Sequence, residues 1–281
     1  MLKYINCIFF AEVYNPISMK KRNLINLLSF LLILSFTCNS HAYGNDIFRN
    51  ENVQKSPGKQ KVQLFNGKDL DGWYTYIKER GRNNDPLKVF TVQNRMIRIS
   101  GEEYGCITTN DEFENYKLTV KFRWGEQTFE PRTDRARDSG ILLHSVGEDG
   151  ASSGTWMYSI ECQIIEGGTG DFIVVGDGSN KFSITSPVAE QKQGNSFVYQ
   201  ASGKKVTINS GRINWFSRDP EWKDIKDFRG KNDIEKPVGK WNLIECIVNG
   251  SEIHIYLNGV MVNQAFDVKP HKGKIQIQSE G

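Results

Sequence analysis

The chain has 281 residues, 38% of them hydrophobic, and a formal net charge of +3 from 36 basic and 33 acidic side chains. That content supports one sizeable core, and charges of both signs are interspersed, without the basic stripe of a nucleic-acid binder. The longest apolar run, LINLLSFLLILSF at 24–36, falls short of the roughly 20 residues that a bilayer-spanning helix takes.

In chain order, residues 1–18 read as an upstream extension ahead of Met19. Met19-Lys20-Lys21-Arg22 and the apolar run then form the basic and hydrophobic regions of a signal peptide over 19–42. Two processing sites compete. Ser40-His41-Ala42 has the small residues of ordinary cleavage after Ala42, whereas Leu34 to Cys38 is a loose lipobox that would make Cys38 a lipid anchor. Either route exports the protein, to the periplasm or to an anchored position at the bacterial envelope. Residues 43–60 are polar and read as a linker.

From Lys61 the pattern is strand after strand: 62–65, 88–93, 95–99, 105–108, 115–124, 139–145, 156–165, 171–175, 204–208, 211–216, 241–248, 252–257, 260–265 and 273–278. Turn dipeptides such as Asn66-Gly67, Asn249-Gly250 and Asn258-Gly259 separate them. Many short strands without helical periodicity predict an all-β domain over 61–281, a β-sandwich or jelly roll. The ending KIQIQSEG reads as one strand short of a finished sandwich. Residues 217–240 are charged, hold two prolines and are long for a strand connection; Trp222 and Phe228 are expected to anchor them as an ordered loop. Cys106, Cys162 and Cys246 lie in apolar runs and read as buried thiols, at most two of them bridged.

Two segments carry polar residues where a plain sandwich would not need them. In SIECQIIEGGTGDF (159–172), the period of two sends Ile160, Cys162 and Ile164 one way and Glu161 and Gln163 the other. IQIQSEG (275–281) repeats the device: Gln276, Gln278 and Glu280 share a face backed by Ile275 and Ile277. His144 follows Ile141 and Leu143 on the opposite face of its strand, after Arg137, Asp138 and Ser139, and Trp156 opens the strand that holds Glu161. Asp138 can pair with Arg135 or Arg137, or bond a ligand hydroxyl. The glycines of 167–170 lack the Lys-Ser/Thr ending of a phosphate loop and read as a rim that lets a substrate approach. No cofactor is expected; loop carboxylates are plentiful enough for a divalent cation, but no ligand motif supports one.

LFNGKDLDGWY, DSGILLHS, SIECQIIEGGTGDFIV, the loop DPEWKD–DFRGKND–EKPVGKWN, YLNGVMVNQA and GKIQIQSEG together resemble the 3-keto-disaccharide hydrolase domain family. The resemblance implies a concanavalin A-like jelly roll of two curved antiparallel sheets. It also implies action on glycosides oxidised at C3, cleaved by hydrolysis or by β-elimination, with an upstream sugar oxidoreductase to supply them. A 3-keto sugar asks for a base near C2, donors near O3 and an acid near the glycosidic oxygen. On that reading Glu161, His144 and Glu280 are candidate catalytic groups, with Glu161 the base or the carboxylate orienting one. Gln163, Gln278, Arg137, Asp138 and Trp156 are candidate substrate contacts, with Arg137 placed to stabilise the enolate oxygen. The alternatives are a non-catalytic, lectin-like carbohydrate-binding module and, more weakly, a glucanase. Against the last stands the absence of its three-carboxylate strand, since the place reads Glu161, Gln163 and Glu166.

Overall fold

A computed structural model describes residues 61–281 and the backbone of two short strands, Asn6–Ile8 and Glu12–Tyr14. The signal peptide, Cys38, Ala42 and the linker lie outside the described residues.

The domain is an all-β sandwich of the jelly-roll type. From edge to edge, one sheet runs Lys204–Ile208, Ser183–Val188, Val260–Lys269, Glu252–Leu257, Asn242–Asn249, Lys117–Arg123, Asn6–Ile8, Met96–Ile99 and Phe90–Gln93. The other runs Phe197–Val198, Gly211–Asn214, Phe172–Val175, Tyr158–Ile165, Asp138–Val146, Lys274–Ser279, Gly105–Thr109, Trp73–Ile77 and Gly81–Arg82. All neighbours are antiparallel except Phe197–Val198 against Gly211–Asn214. Five of these strands escape the sequence pattern: Asn6–Ile8, Trp73–Ile77, Gly81–Arg82, Ser183–Val188 and Phe197–Val198. Trp73–Ile77 is masked by the turn-rich LFNGKDLDGW motif before it, and Ser183–Val188 carries Pro187 and three hydroxyls instead of an apolar alternation.

Alternation places the core between the sheets. Leu118, Val120 and Phe122 of one sheet meet Ile141, Leu143, Ile160, Cys162, Ile164, Ile275 and Ile277 of the other. The outward faces then differ. In Lys117–Arg123 buried and more open residues alternate, as one solvated face requires. In Asp138–Val146, Tyr158–Ile165 and Lys274–Ser279 almost every residue is buried. That sheet is therefore covered on both faces, although its outer face carries carboxyls and amides. Burying such groups is costly unless they are paired or put to use, which marks this face as the candidate site.

The Asn6–Ile8 strand pairs with Met96–Ile99 on one side and Lys117–Arg123 on the other, aligning Cys7 with Ile97 and Phe122. Each ladder hydrogen bond contributes on the order of 1 kcal/mol. A chain beginning at Met19 is therefore expected to melt about 5–10 °C below the full chain, with a peptide of residues 1–18 restoring the difference. Equal melting temperatures in a calorimetric comparison would mean that this ladder adds nothing.

Candidate active site

The site is built on three adjacent strands. Gly140 pairs with Gln163 across one ladder, Leu142 with Glu161 on that side and with Gln276 on the other. Gln278 pairs in turn with Cys106, and Gln276 with Thr108. Period-two alternation thus turns Asp138, Gly140, Glu161, Gln163, Gln276 and Gln278 to the covered outer face. Gly140 forms its floor: a Cβ there would collide with both Gln278 Oε1 and Glu161 Oε1, so both side chains fold over the same bare backbone.

Asp138, Glu161 and Glu280 interact there as one group of acids. Gln163 Nε2 donates to Asp138 Oδ1 at 2.9 Å, and Arg132 Nη2 lies 3.3 Å from Asp138 Oδ2. Asp138 and Glu280 share a hydrogen bond. Burial pushes the Asp138 carboxyl up to about 6, with Arg132, Arg212 and the bond to Glu280 pulling the other way. Burial, together with the neighbouring Asp138 charge, raises Glu161 further, to about 8. Glu280 is raised well above the usual range by burial and by the Asp138 and Glu161 charges, and its bond with Asp138 raises it further. Burial and mutual repulsion thus raise all three carboxyls, Asp138 least. The carbonyl oxygens Gln163 Oε1 and Gln278 Oε1 and the Arg132 Nε–H are buried without partners, the condition of polar groups set aside for a ligand.

Of the candidates read from the sequence, the fold brings together Glu161, Gln163, Asp138, Gln278 and Glu280, and sets Trp156 nearby. Trp156 stacks on Tyr104 at 6.5 Å and packs with Cys106, Leu142 and Val175 in a small apolar cluster on the same face. Gln276 faces this side too, but its amide is consumed holding the Met157 N–H, Thr108 and Cys106.

His144 does not join them. The ladder slips on both sides of the strand, between Leu143 and Val146 and between Leu142 and Ser145. His144 sits in that bulge at φ 55°. The bulge cancels the alternation that would have put it beside Gly140. Its ring meets Tyr116 of the main core edge-on at 5.7 Å, and its Nδ1 bonds Pro270 O at 2.9 Å. Burial lowers its pKa to about 4, leaving a neutral core imidazole.

Arg137 also points elsewhere. Its Nη1 is 2.6 Å from Glu166 and 2.8 Å from Asp227, and its Nη2 donates to Glu126 O. It clamps the charged loop to the sheet through Glu166, Asp227 and Glu126 O, so its charge is engaged away from the cluster. Asp138 pairs with Arg132, not with Arg135 or Arg137. The glycine bend is closed as well. Added Cβ atoms at Gly167 and Gly168 would meet Phe228, Trp222 and Arg218, so the bend receives the protein's own loop where a substrate approach was expected. That loop is ordered through Trp222, whose indole N–H donates to Glu166 O at 2.8 Å and whose ring packs on Phe228.

Sequence reading missed Arg132, Arg212, Tyr104 and Glu235. Arg132 stood in the arginine-rich run 132–137, but the run offered no reason to choose it over Arg137. Arg212 did leave a signal: Ile213 turns to the core, so Arg212 must turn to the Glu161 face, and Glu161, Ile173 and Arg212 align across three strands. Arg212 and Arg218 both pair with the fully buried Asp171, Arg212 at 3.0 Å.

Glu235 left no signal, since a glutamate in a charged loop reads as solvated. It is buried instead, with Trp124 Nε1–H donating to one carboxyl oxygen at 2.5 Å and Thr169 Oγ1 2.6 Å from the other. Thr169 also bonds Ile165 O at 3.1 Å, and its single hydroxyl proton serves only one acceptor. The network closes if Glu235 is protonated and donates to Thr169, in keeping with a pKa raised to about 8 by burial. Glu235→Gln is expected to keep the fold, whereas Glu235→Ala should cost about 2–4 kcal/mol in urea unfolding through the stranded polar partners. Equal losses in the two variants would show that the carboxyl's hydrogen bonds do not hold the loop.

A two-sheet jelly roll whose covered face gathers three acids, two amides and two arginines is organised like a carbohydrate-active protein. Residues 60–281 match the model of the family described as the 3-keto-alpha-glucoside-1,2-lyase-like domain, and the chain belongs to that family. No curated protein matches the chain. Among solved structures, one from Parabacteroides distasonis ATCC 8503, a "putative glycosyl hydrolase", is similar with 14% identity, a TM-score of 0.42 and coverage of 78% of this chain and 87% of that one. A second of the same description and organism has 19% identity and a TM-score of 0.36, covering 75% and 87%. Carbohydrate-binding module CBM66 from Bacillus subtilis has 10% identity and a TM-score of 0.41, covering 74% and 86%.

Proposed function

We propose that this protein cleaves 3-keto-glycosides by removing the proton at C2 and expelling the group on C1. The observation that carries the reading is the cluster at Gly140, where Glu161 and Gln278 fold over one bare backbone position and Asp138, held by Arg132 and Gln163, is the acid that burial raises least. The ketone acidifies C2–H, so a carboxylate of modestly raised pKa is an adequate base. Asp138 takes that proton. The electron pair moves to give an enolate on O3, within reach of the unpartnered Arg132 Nε–H and of Arg212, whose charge would be stabilising. Collapse of the enolate breaks the C1–O bond and leaves a C1=C2 enone. Glu161 gives its proton to the departing oxygen. Water adding to the enone converts the elimination into net hydrolysis. Glu161 thus changes place with Asp138 relative to the sequence reading, in which it was the base or the group orienting one.

The signal peptide supports export, with processing at Ala42 or lipidation at Cys38, and the chemistry requires an oxidoreductase that first oxidises the sugar at C3. The lectin-like alternative draws support from the unpartnered amide oxygens, which suit binding as well as turnover.

Incubation of the protein with a 3-keto-disaccharide in deuterated water, followed by mass analysis, separates these readings. Cleavage with deuterium at C2 of recovered substrate or hydrated product is the expected result. Cleavage without exchange would replace elimination by direct displacement, and saturable binding without cleavage would leave the lectin.

A further inference from the structure

We propose that the cavity beside Arg212 is the leaving-group subsite, shaped for an uncharged, hydroxyl-rich group such as a second sugar. This rests on the cleavage reading above for the word "leaving" but on its own observations for the site. The cavity holds about 360 Å³ and is lined by Gln193, Ser196, Arg212, Asn214, Arg218 and Trp222, with Asp219 also in its wall.

Arg212 joins it to the acid cluster. It lines the cavity, and its charge acts on both Asp138 and Glu161. Its strand is the second over from that of Glu161, in direct register through Ile173, so the two backbones are roughly 10 Å apart.

The lining is rigid and carries an acceptor with nothing to accept. Asn214 is 4% exposed. Its Nδ2 donates to Gln193 Oε1 at 2.9 Å, and Gln193 Nε2 in turn donates to Arg218 O at 2.9 Å. Those bonds fix both amides and leave Asn214 Oδ1 buried without a partner, a cost that a ligand hydroxyl would remove. Trp222 is held by its bond to Glu166 O and by Arg218 over one face at 4.2 Å, giving the cavity a fixed aromatic wall.

Charge decides the ligand class. Asp171 takes both arginines as ion-pair partners, and Asp219 adds a second negative charge. Two cations are thus balanced by two anions, which disfavours selection of a carboxylate or phosphate.

The test uses the full-length protein, free glucose as probe, and two substrates: a 3-keto-disaccharide and the methyl 3-keto-glucoside that lacks a second sugar. Glucose is expected to shift the side-chain amide NMR signals of Asn214 and Gln193 saturably, more strongly than glucuronate does. In Asn214→Ala the shift of Gln193 should vanish, and the ratio of kcat/KM for the disaccharide over the methyl glycoside should fall about tenfold. An absent shift in the wild type, tighter glucuronate binding, or an unchanged ratio overturns the subsite. Glucose shifts lost in Asn214→Ala, with neither substrate cleaved, would uphold the sugar subsite and overturn the catalytic reading.

Discussion

Replacing Asp138 by Asn is expected to lower turnover of a 3-keto-glycoside at least 10²-fold, the usual range for removing a general base. The reason lies in the order of ionisation within the cluster. Of three acids facing Gly140, Asp138 alone has both an arginine and an amide N–H on its carboxyl oxygens, at 3.3 and 2.9 Å. Burial raises it, but Arg132, Arg212 and the bond to Glu280 hold it near 6, while burial carries Glu161 to about 8 and Glu280 well above the usual range. Wild-type activity should therefore follow a bell-shaped pH profile, rising as Asp138 loses its proton around pH 6 and falling as Glu161 loses its own around pH 8. In Asp138→Asn the acid limb should disappear along with the rate. A variant that keeps full activity and the acid limb would remove Asp138 from the role of base.

Glu161→Gln is expected to lower turnover by at least 10²-fold as well, with the alkaline limb of the profile lost, because the amide fills the same space but has no acidic proton for the leaving oxygen. Its effect on stability should run the other way. A carboxyl whose folded-state pKa is raised is favoured in the folded chain while it stays protonated. That benefit is full below the unfolded value near 4.5 and is lost as the pH climbs toward about 8. Above that window the wild type carries a buried charge that the variant lacks. Melting temperatures compared at pH 5 and pH 9 should therefore show little difference at the lower pH and a variant several degrees more stable at the higher. The opposite sign at pH 9 would mean that Glu161 is ionised in the native protein and is stabilised there by Arg212.

The placement of the site explains why a stable sandwich tolerates such groups. The main core between the sheets is apolar and complete without them: Ile141, Ile160, Cys162, Ile164 and Ile277 supply it from the same strands. The acids and amides occupy the alternate positions, so their burial taxes only the outer face. Gly140 is the residue that lets them converge, since any side chain there would separate Glu161 from Gln278. The charged loop 217–240 is fastened from beneath by Glu166 and Arg137 and by the buried carboxyl of Glu235. It brings Arg218 and Trp222 to the cavity beside Arg212.

What the sequence determined by itself was the set of faces. A strand's side chains alternate whatever surrounds it, so ECQII and IQIQS were enough to pair Glu161 with Gln163 and Gln276 with Gln278 and to back them with isoleucines. Two aromatics in an otherwise charged segment likewise made Trp222 and Phe228 legible as anchors of the long loop. Only the tertiary structure decided which of those polar residues meet, because that depends on ladder register, and register is fixed between strands more than 100 residues apart, such as Asp138–Val146 and Lys274–Ser279. It also decided what local alternation gets wrong. The bulge that sends His144 to Tyr116 comes from slips against two neighbouring strands, and the choice of Arg132 over Arg137 comes from where each guanidinium lands, Arg132 between Asp138 and Asp224 and Arg137 between Glu166 and Asp227. The proton count of the cluster was likewise out of reach of the sequence, since a carboxyl's pKa is set by the water it loses and the charges that fold in beside it.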